Sequence, residues 1–469
     1  MFSIVLDLDY RSSEGAEIAL LDRTLEMLAR TDRGQRRVVR AYELGEINAK
    51  HGALREIKNN QEVKDYVKSL FGVKGKEEWE ETTFSGIRDL EHAVGGRQRD
   101  RGFSDLDYAR YYFLNLGEEL GRLSEKLSEA PHIEDRYLAE LLDKAKSFEG
   151  NKLYTGSRKL MELVTKINEL GKKPTRNFFK IRRNKKEQKS LTLDLVSSFL
   201  KGSDDKSIDV AYDSIARIDE LNAYDSYAES LPVASLPTVV DSPKHFFRAT
   251  NLVNGVTAIK NRDYTPNDVE LDENRIAFLT GPNTGGKTSL VKSIVYAQLL
   301  AQKGCYVPAE SATVSVADRI FLFTGEPNSI HDAEGSFGRN MSRAREIVFG
   351  STPRSLVIVD DLIEGTRPQE RDVHIRNILQ GLYHKEPTVV YITHDDSLVD
   401  DFAEVGAGEG VEMEFDGTRP TYKLKKGIAR NSHSDLVARR VGLDKDSIVK
   451  HLMENGHIQS ADEFDILRK

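Results

Sequence analysis

The sequence predicts a multidomain chain in which an α-helical first half precedes an α/β domain built on a largely parallel sheet, followed by a short helical tail. Proline divides the chain: only Pro131 and Pro174 fall before residue 231, and the other eleven of thirteen lie from Pro232 onward. In the first half apolar residues recur at helical spacing, as in Leu116, Leu120, Leu123 and Leu127, or Leu160, Leu163, Val164 and Ile167. Beyond residue 232 the texture changes to short β-rich runs separated by long crossovers, the signature of strands joined through helices.

Composition sets the outer limits. A chain of 469 residues with 39 % hydrophobic content can fill two or three domain cores. A net charge of -8 and a pI of about 5.9 leave no global basic field, so any nucleic-acid contact must be local. The single cysteine, Cys305, excludes an intramolecular disulfide framework and fits a reducing compartment. The N-terminus carries acids where a secretory signal carries positive charge, and no apolar stretch reaches about 18 residues. A cytoplasmic protein without a membrane partner is expected.

Along the first half, Gly72 to Gly75 and Gly95-Gly96 are turn points that break the region into several helices. The segment from Lys172 to Lys189 is the strongest basic cluster, with nine Lys or Arg against one Glu, interrupted by Phe178 and Phe179. Arg176, Lys180, Arg182, Arg183, Lys185 and Lys186 are its candidates for phosphate-backbone contact, the alternative being a solvated helix end or a flexible basic loop. Further on, Ile276 to Thr280, Ser355 to Val359 and Val389 to Thr393 read as strands. Val411 to Phe415 and Tyr422 to Leu424 read as a hairpin turning at Asp416-Gly417. Ser434 to Arg440 and Asp446 to Met453 read as two terminal helices broken at Gly442.

The chemistry concentrates at three strand ends. After the first strand comes Gly281-Pro282-Asn283-Thr284-Gly285-Gly286-Lys287-Thr288, then Ser289 opening a helix. This fits the phosphate-binding loop G-x-x-x-x-G-K-S/T in its strand-to-helix setting. Glycines let backbone N–H groups curl around phosphate oxygens, the helix offers its positive end, and lysine reaches the outer phosphates. Thr288 would hold magnesium. About seventy residues later the run Leu356 to Val359 ends in Asp360-Asp361, whose first acid suits magnesium and whose second suits an attacking water. The third strand ends at Thr393-His394, where a histidine can meet a γ-phosphate.

With these residues in place the chain resembles the MutS ATPases of DNA mismatch repair, a branch of the ABC-type ATPase group. The loop interior Gly-Pro-Asn-x-Gly-Gly-Lys carries much of that resemblance. Gly304 to Ala309, Val316 to Phe321, Gly365-Thr366 and Thr393-His394 follow in the family's order. Gly427 to Ser432, then Leu436, Ala438-Arg439 and Gly442-Leu443, resemble its C-terminal helix-turn-helix. The stretch Tyr264-Thr-Pro-Asn267-Asp268 resembles the segment where family members hold adenine, which implies that Tyr264 stacks on the base and Asn267 contacts its edge. A half-buried strand residue is the other reading of Tyr264.

The resemblance implies a helical core and lever region over 1–231, an ATPase domain over 232–426 and a dimerising helix-turn-helix over 427–469. It implies ATP and Mg2+ as ligands, and a homodimer in which Ser336 of one copy reaches the γ-phosphate held by the other. The helical half begins roughly where the family's core would, without the mismatch-reading and connector domains, and leaves no room for a Smr domain; mismatch reading by that route is therefore not expected. Three departures stand out. Asp361 replaces a glutamate, drawing the carboxylate back by about 1.5 Å and slowing water activation. Asn340 replaces the glutamate after the Ser336 turn, and Ile363-Glu364 replaces a Gly-Arg pair. The expected activity is slow ATP hydrolysis in a composite dimer site that drives a clamp on structured or branched DNA. An RNA- or ribosome-directed relative and an ATP-binding scaffold with little turnover are the alternatives.

Overall fold

The computed structural model describes residues 5–7, 42–71, 125–146, 180–187, 206–260, 264–271, 276–282, 285–324, 336–360, 368–416, 419–430 and 441–464. It also describes single helical positions at 25, 37, 159, 162, 163, 165, 166, 190 and 439. The chain divides into two units, one of residues 17–231 with 300–306, the other of residues 1–16, 232–299 and 307–469.

The first unit is helical. Helices α1 (Leu44–Asn59), α2 (Gln61–Phe71) and α3 (Arg136–Lys146) each bury an apolar stripe, whereas α4 (Lys206–Ser230) is buried all round over 218–225, Asp219, Glu220, Asn222 and Asp225 included. In α2 it is Val63, Val67, Leu70 and Phe71, and in α3 it is Leu138, Leu141, Leu142 and Ala145, the spacing that one helix face requires. Asn60 ends α1 and caps α2, its side-chain oxygen accepting from the N–H groups of Glu62 and Val63. Asp135 caps α3 in the same way through Leu138 N–H. A β-carbon on Gly52 would lie 2.4 Å from an Asp135 carboxylate oxygen, so glycine permits the close approach of α1 to the start of α3.

A buried ionic cluster crosses this unit. Lys50 Nζ donates to Glu220 Oε1 at 2.7 Å and to the Lys303 carbonyl at 3.2 Å, with both side chains fully enclosed. Tyr224 OH donates to the same Glu220 oxygen at 2.9 Å, and the Lys50 ammonium lies 3.1 Å from the centroid of the Tyr42 ring. Burial lowers Lys50 to about 8 although Glu220 pulls the other way. Removing either partner would leave the other's charge buried without its counter-charge, which is strongly destabilising.

The second unit is α/β. Strand β1 is Val5–Asp7, and β2 (Thr238–Val240), β3 (Phe247–Leu252), β4 (Asn267–Leu271) and β5 (Ile276–Thr280) lead to α5 (Lys287–Lys303). There follow β6 (Ser311–Ser315), β7 (Arg319–Thr324), α6 (Ser336–Gly350), β8 (Leu356–Asp360), α7 (Pro368–Lys385), β9 (Thr388–Ile392) and α8 (Asp396–Glu404). Strands β10 (Gly408–Phe415) and β11 (Pro420–Lys426) form a hairpin, and α9 (Lys445–Glu454) is followed by a 3-10 turn, Ala461–Phe464. The main sheet runs β1-β7-β8-β9-β5-β10-β11, parallel throughout except for β11. A smaller sheet runs β2-β6-β3-β4. Strands β5, β8 and β9 are near-continuous apolar runs because helices cover a parallel sheet on its faces. Phe278, Val357, Val359 and Tyr391 pack there with Leu379, Leu398 and Phe402.

The expected order, helices first and α/β second, matches the described chain, with differences of detail. The helical region is expected to span 1–231, but Val5–Asp7 pairs in parallel with β7 as the edge strand of the main sheet. The hairpin strand β10 also pairs in parallel with β5, so the hairpin continues the main sheet. Of the helical stripes cited from sequence, Leu116, Leu120, Leu123, Leu160, Val164 and Ile167 lie outside the described residues, as do the glycine turn points and most of the 434–440 segment. No helix among the described residues is long and apolar enough to cross a membrane.

His51 on α1 is 3 % exposed, and its Nε2 has no hydrogen-bond partner among the described residues. Burial first, then the charges of Arg55 and Lys50, push its pKa from 6.5 down to about 4. The unfolded chain takes up this proton near pH 6.5 and the folded chain only near 4, so stability present above pH 6.5 is lost as the pH falls through that window. His51 alone should cost on the order of 2 kcal/mol at pH 5 relative to pH 7. Urea titrations at both values should show this loss, and His51→Leu should reduce it; an unchanged pH dependence in the variant would remove His51 as its source.

Candidate nucleotide site

Strand β5 lies inside the main sheet between β9 and β10, and the chain leaves its C-terminal end through a sharp turn into α5. Gly281 and Gly286 carry φ values of +129° and +90°, a region costly for any residue with a β-carbon. Gly285 N–H bonds back to the Pro282 carbonyl at 2.9 Å, and Leu290 N–H to the Gly286 carbonyl starts the helix. Asn283 and Thr284 lie outside the described residues.

Lys287, the first residue of α5, is only 4 % exposed. Its Nζ donates to the carbonyls of Gly281 at 2.6 Å and Pro282 at 3.0 Å. The ammonium therefore lies inside the curve of the loop, bonded to the Gly281 carbonyl and sharing the Pro282 carbonyl with Gly285 N–H. His394 Nε2 is 3.5 Å from the same Nζ, and an unprotonated Nε2 accepts from it. Thr288 and Ser289 are half-buried on the first turn of α5.

The sheet register brings the other strand-end residues to the same edge. Leu279 pairs with Ile392, Ile392 with Asp360, and Asp360 with Thr324, so one row crosses β5, β9, β8 and β7 at their C-terminal ends. His394 follows β9 by two residues, beyond Thr393, whose N–H bonds to the Leu279 carbonyl. Asp395 then caps α8 through Leu398 N–H, which fixes the exit of the chain just after the histidine. The loop, Asp360 and His394 thus line the edge of an open parallel sheet where ligands bind. Asp361 lies outside the described residues, as does Arg176; Ser336 opens α6.

The remaining predicted residues fall differently. Tyr264 is half-buried, with its hydroxyl 3.3 Å from Ser289 Oγ and 3.1 Å from Ser293 Oγ, against α5 one turn beyond the loop. Asn267, expected at the edge of a base, is 5 % exposed and bonded to protein backbone. Its amide N–H group donates to the Tyr422 carbonyl at 2.9 Å and the Thr265 carbonyl at 3.3 Å, while its oxygen accepts from Leu424 N–H at 2.6 Å.

Two residues at the loop escape sequence reasoning. Met413 on β10 is buried under it: a β-carbon on Gly281 would lie 3.2 Å, and one on Gly285 3.3 Å, from Met413 Cβ. Tyr422 on β11 lies against Gly286, where a β-carbon would come within 3.1 Å of Tyr422 Cδ1. Nothing in a hairpin sequence marks either residue, since the contact arises only once β10 pairs with β5.

Lys180, Arg182, Arg183, Lys185 and Lys186 occupy a helical segment, 180–187, and all five are exposed. None forms an ion pair with a described carboxylate.

Comparison with known proteins agrees with this architecture. Residues 277–456 match the model of MutS domain V, an ATPase domain. The chain is 34 % identical over 205 residues to an Endonuclease MutS2 of Thermus thermophilus, covering 42 % of this chain and 27 % of the relative. It is 32 % identical over 256 residues to a DNA mismatch repair protein MSH3 of Meyerozyma guilliermondii, covering 50 % of this chain and 26 % of that one. The matches thus span about a quarter of the length of these relatives. Glycine cradle, buried lysine, strand-end acid and sequence match coincide on one segment, residues 277–456, which is similar to MutS domain V.

Proposed function

We propose that the α/β unit binds and slowly hydrolyses ATP in a site completed by a second copy of the chain, and that this cycle changes the grip of the helical unit on nucleic acid, chiefly the DNA backbone. The observation that carries the reading is Lys287, buried inside the glycine turn at the head of α5, on the sheet edge that also holds Asp360 and His394. Phosphate oxygens would take the place of the Gly281 and Pro282 carbonyls at Lys287 Nζ, with loop N–H groups and the positive end of α5 adding to the attraction. The hydroxyl of Thr288 and the carboxylate of Asp360 are hard oxygen donors that fit Mg2+, which when bound neutralises charge on the outer phosphates. Asp361 would orient the attacking water and His394 would contact the γ-phosphate. Tyr264 would bound the side toward the base.

The homodimer and Ser336 acting across it rest on the family likeness, as does DNA as the partner; the MutS2 and MSH3 relatives carry the names of an endonuclease and a DNA mismatch repair protein. The exposed basic segment 180–187 supports backbone contact without base reading. The shortened acid Asp361 keeps a second reading in play, in which nucleotide is held with little turnover and the dimer serves as a scaffold.

Lys287→Ala should abolish ATP binding in equilibrium titrations, and phosphate release per subunit should rise with protein concentration until the dimer saturates. Turnover by isolated monomers at a concentration-independent rate would refute the composite site, and ATP binding without measurable release would favour the scaffold.

Binding to a panel of homoduplex, mismatched, branched and single-stranded DNA and of RNA should weaken on the order of 100-fold between about 50 and 200 mM salt, as about four released counterions require. Charge reversal at Arg182, Arg183, Lys185 and Lys186 should remove it. Unchanged affinity would dismiss this surface, and preference for RNA throughout would redirect the reading to an RNA-bearing target.

A further inference from the structure

Strand β11 is irregular where it passes the phosphate loop. Met413 pairs with Leu424 and Phe415 with Pro420, so one residue on β10, Glu414, stands opposite three on β11, Thr421 to Lys423, and Tyr422 lies within the bulge. Bulges of this kind re-aim a side chain. Tyr422 has φ of +61°, a left-handed conformation that is strained for an aromatic residue and persists only where its surroundings hold it.

The holding group is the side chain of Asn267. It donates to the carbonyl of Tyr422 itself and accepts from the N–H of Leu424, two residues on, so one amide grips the backbone at both ends of the strained step. Lys423, between them, donates to the Pro266 carbonyl at 2.7 Å and adds a third tie to the segment just before β4. The result of this conformation is the position of the Tyr422 ring, which covers the face of Gly286 on the phosphate loop while remaining 46 % exposed on its other side.

We propose that Asn267 is a positioning residue for the phosphate loop: by clamping β11 on both sides of Tyr422 it lays the tyrosine ring on Gly286, and the ring braces the loop in its phosphate-accepting curve. This rests on the nucleotide reading given above and replaces the expectation that Asn267 touches the base. Its amide meets three backbone groups of the protein, and its effect on a ligand passes through Tyr422. The bracing acts on the phosphates, so it operates on any polyphosphate, whether or not a base is attached.

The test is calorimetric titration of the full chain with ATP and, separately, with inorganic tripolyphosphate, for the unaltered protein, N267A, Y422A, Y422F and the N267A/Y422A double variant. Loss of the clamp or of the ring should weaken both ligands about tenfold, the scale of one buried polar interaction. Y422F keeps the ring and should behave as the unaltered protein. The double variant should be no weaker than either single one, because both act through one contact. The inference is overturned if N267A weakens ATP but leaves tripolyphosphate unchanged, which would put Asn267 at the base, or if the two losses add. Should N267A fail to fold, Y422A alters an exposed residue and decides the matter alone: unchanged tripolyphosphate binding overturns the bracing. If the unaltered protein binds neither ligand, the nucleotide reading itself falls, and the inference with it.

Discussion

Between β5 and α5 the backbone reverses through two left-handed glycines, and in doing so it takes its own carbonyls out of any strand or helix ladder. Lys287 answers that loss by donating to the carbonyls of Gly281 and Pro282 from inside the turn. The Pro282 carbonyl also accepts from Gly285 N–H, so the lysine reinforces a turn that the backbone has begun and is part of the loop's fold. The same requirement shapes the neighbours. Met413 packs beneath Gly281 and Gly285 and Tyr422 against Gly286, at distances that leave no space for side chains on the loop.

A parallel sheet converts this local turn into a site. Because β5, β9 and β8 run in the same direction and in matched register, the residues that follow each strand emerge on one edge. Asp360 and His394 are therefore brought to the loop by the ladder hydrogen bonds of the sheet. The apolar interior around Phe278, Val357 and Tyr391 holds the strands at that spacing. In the helical unit the corresponding organising element is the enclosed Lys50–Glu220 pair, which gathers α1, α4 and the last carbonyl of α5 around one ammonium.

Much of the α/β unit is legible in the sequence because its signals are local. An apolar run followed by Gly-Pro-Asn-Thr-Gly-Gly-Lys-Thr requires a strand, a glycine turn and a helix, and the structure has each in turn. The ends of β8 and β9 are read within one residue for the same reason. What the sequence conceals is pairing. Nothing in Val5–Asp7 marks it as an edge strand of a sheet whose other members begin some 270 residues later, because three residues carry no periodicity. Asn267 is the clearest case: its place near a base-binding motif suggested a ligand contact, while the structure turns its amide onto β11, a strand more than 150 residues away. A side chain's hydrogen-bond partners depend on tertiary neighbours that a local pattern does not contain.

The central claim, that the turn from Gly281 to Thr288 is where phosphates are held, is tested most directly by a crystal structure of the protein with Mg2+ and a non-hydrolysable ATP analogue. The account predicts density for the outer phosphates within the turn, with Lys287 Nζ moved from the carbonyls of Gly281 and Pro282 onto phosphate oxygens. Analogue density elsewhere, with Lys287 still bonded to those two carbonyls, would contradict it.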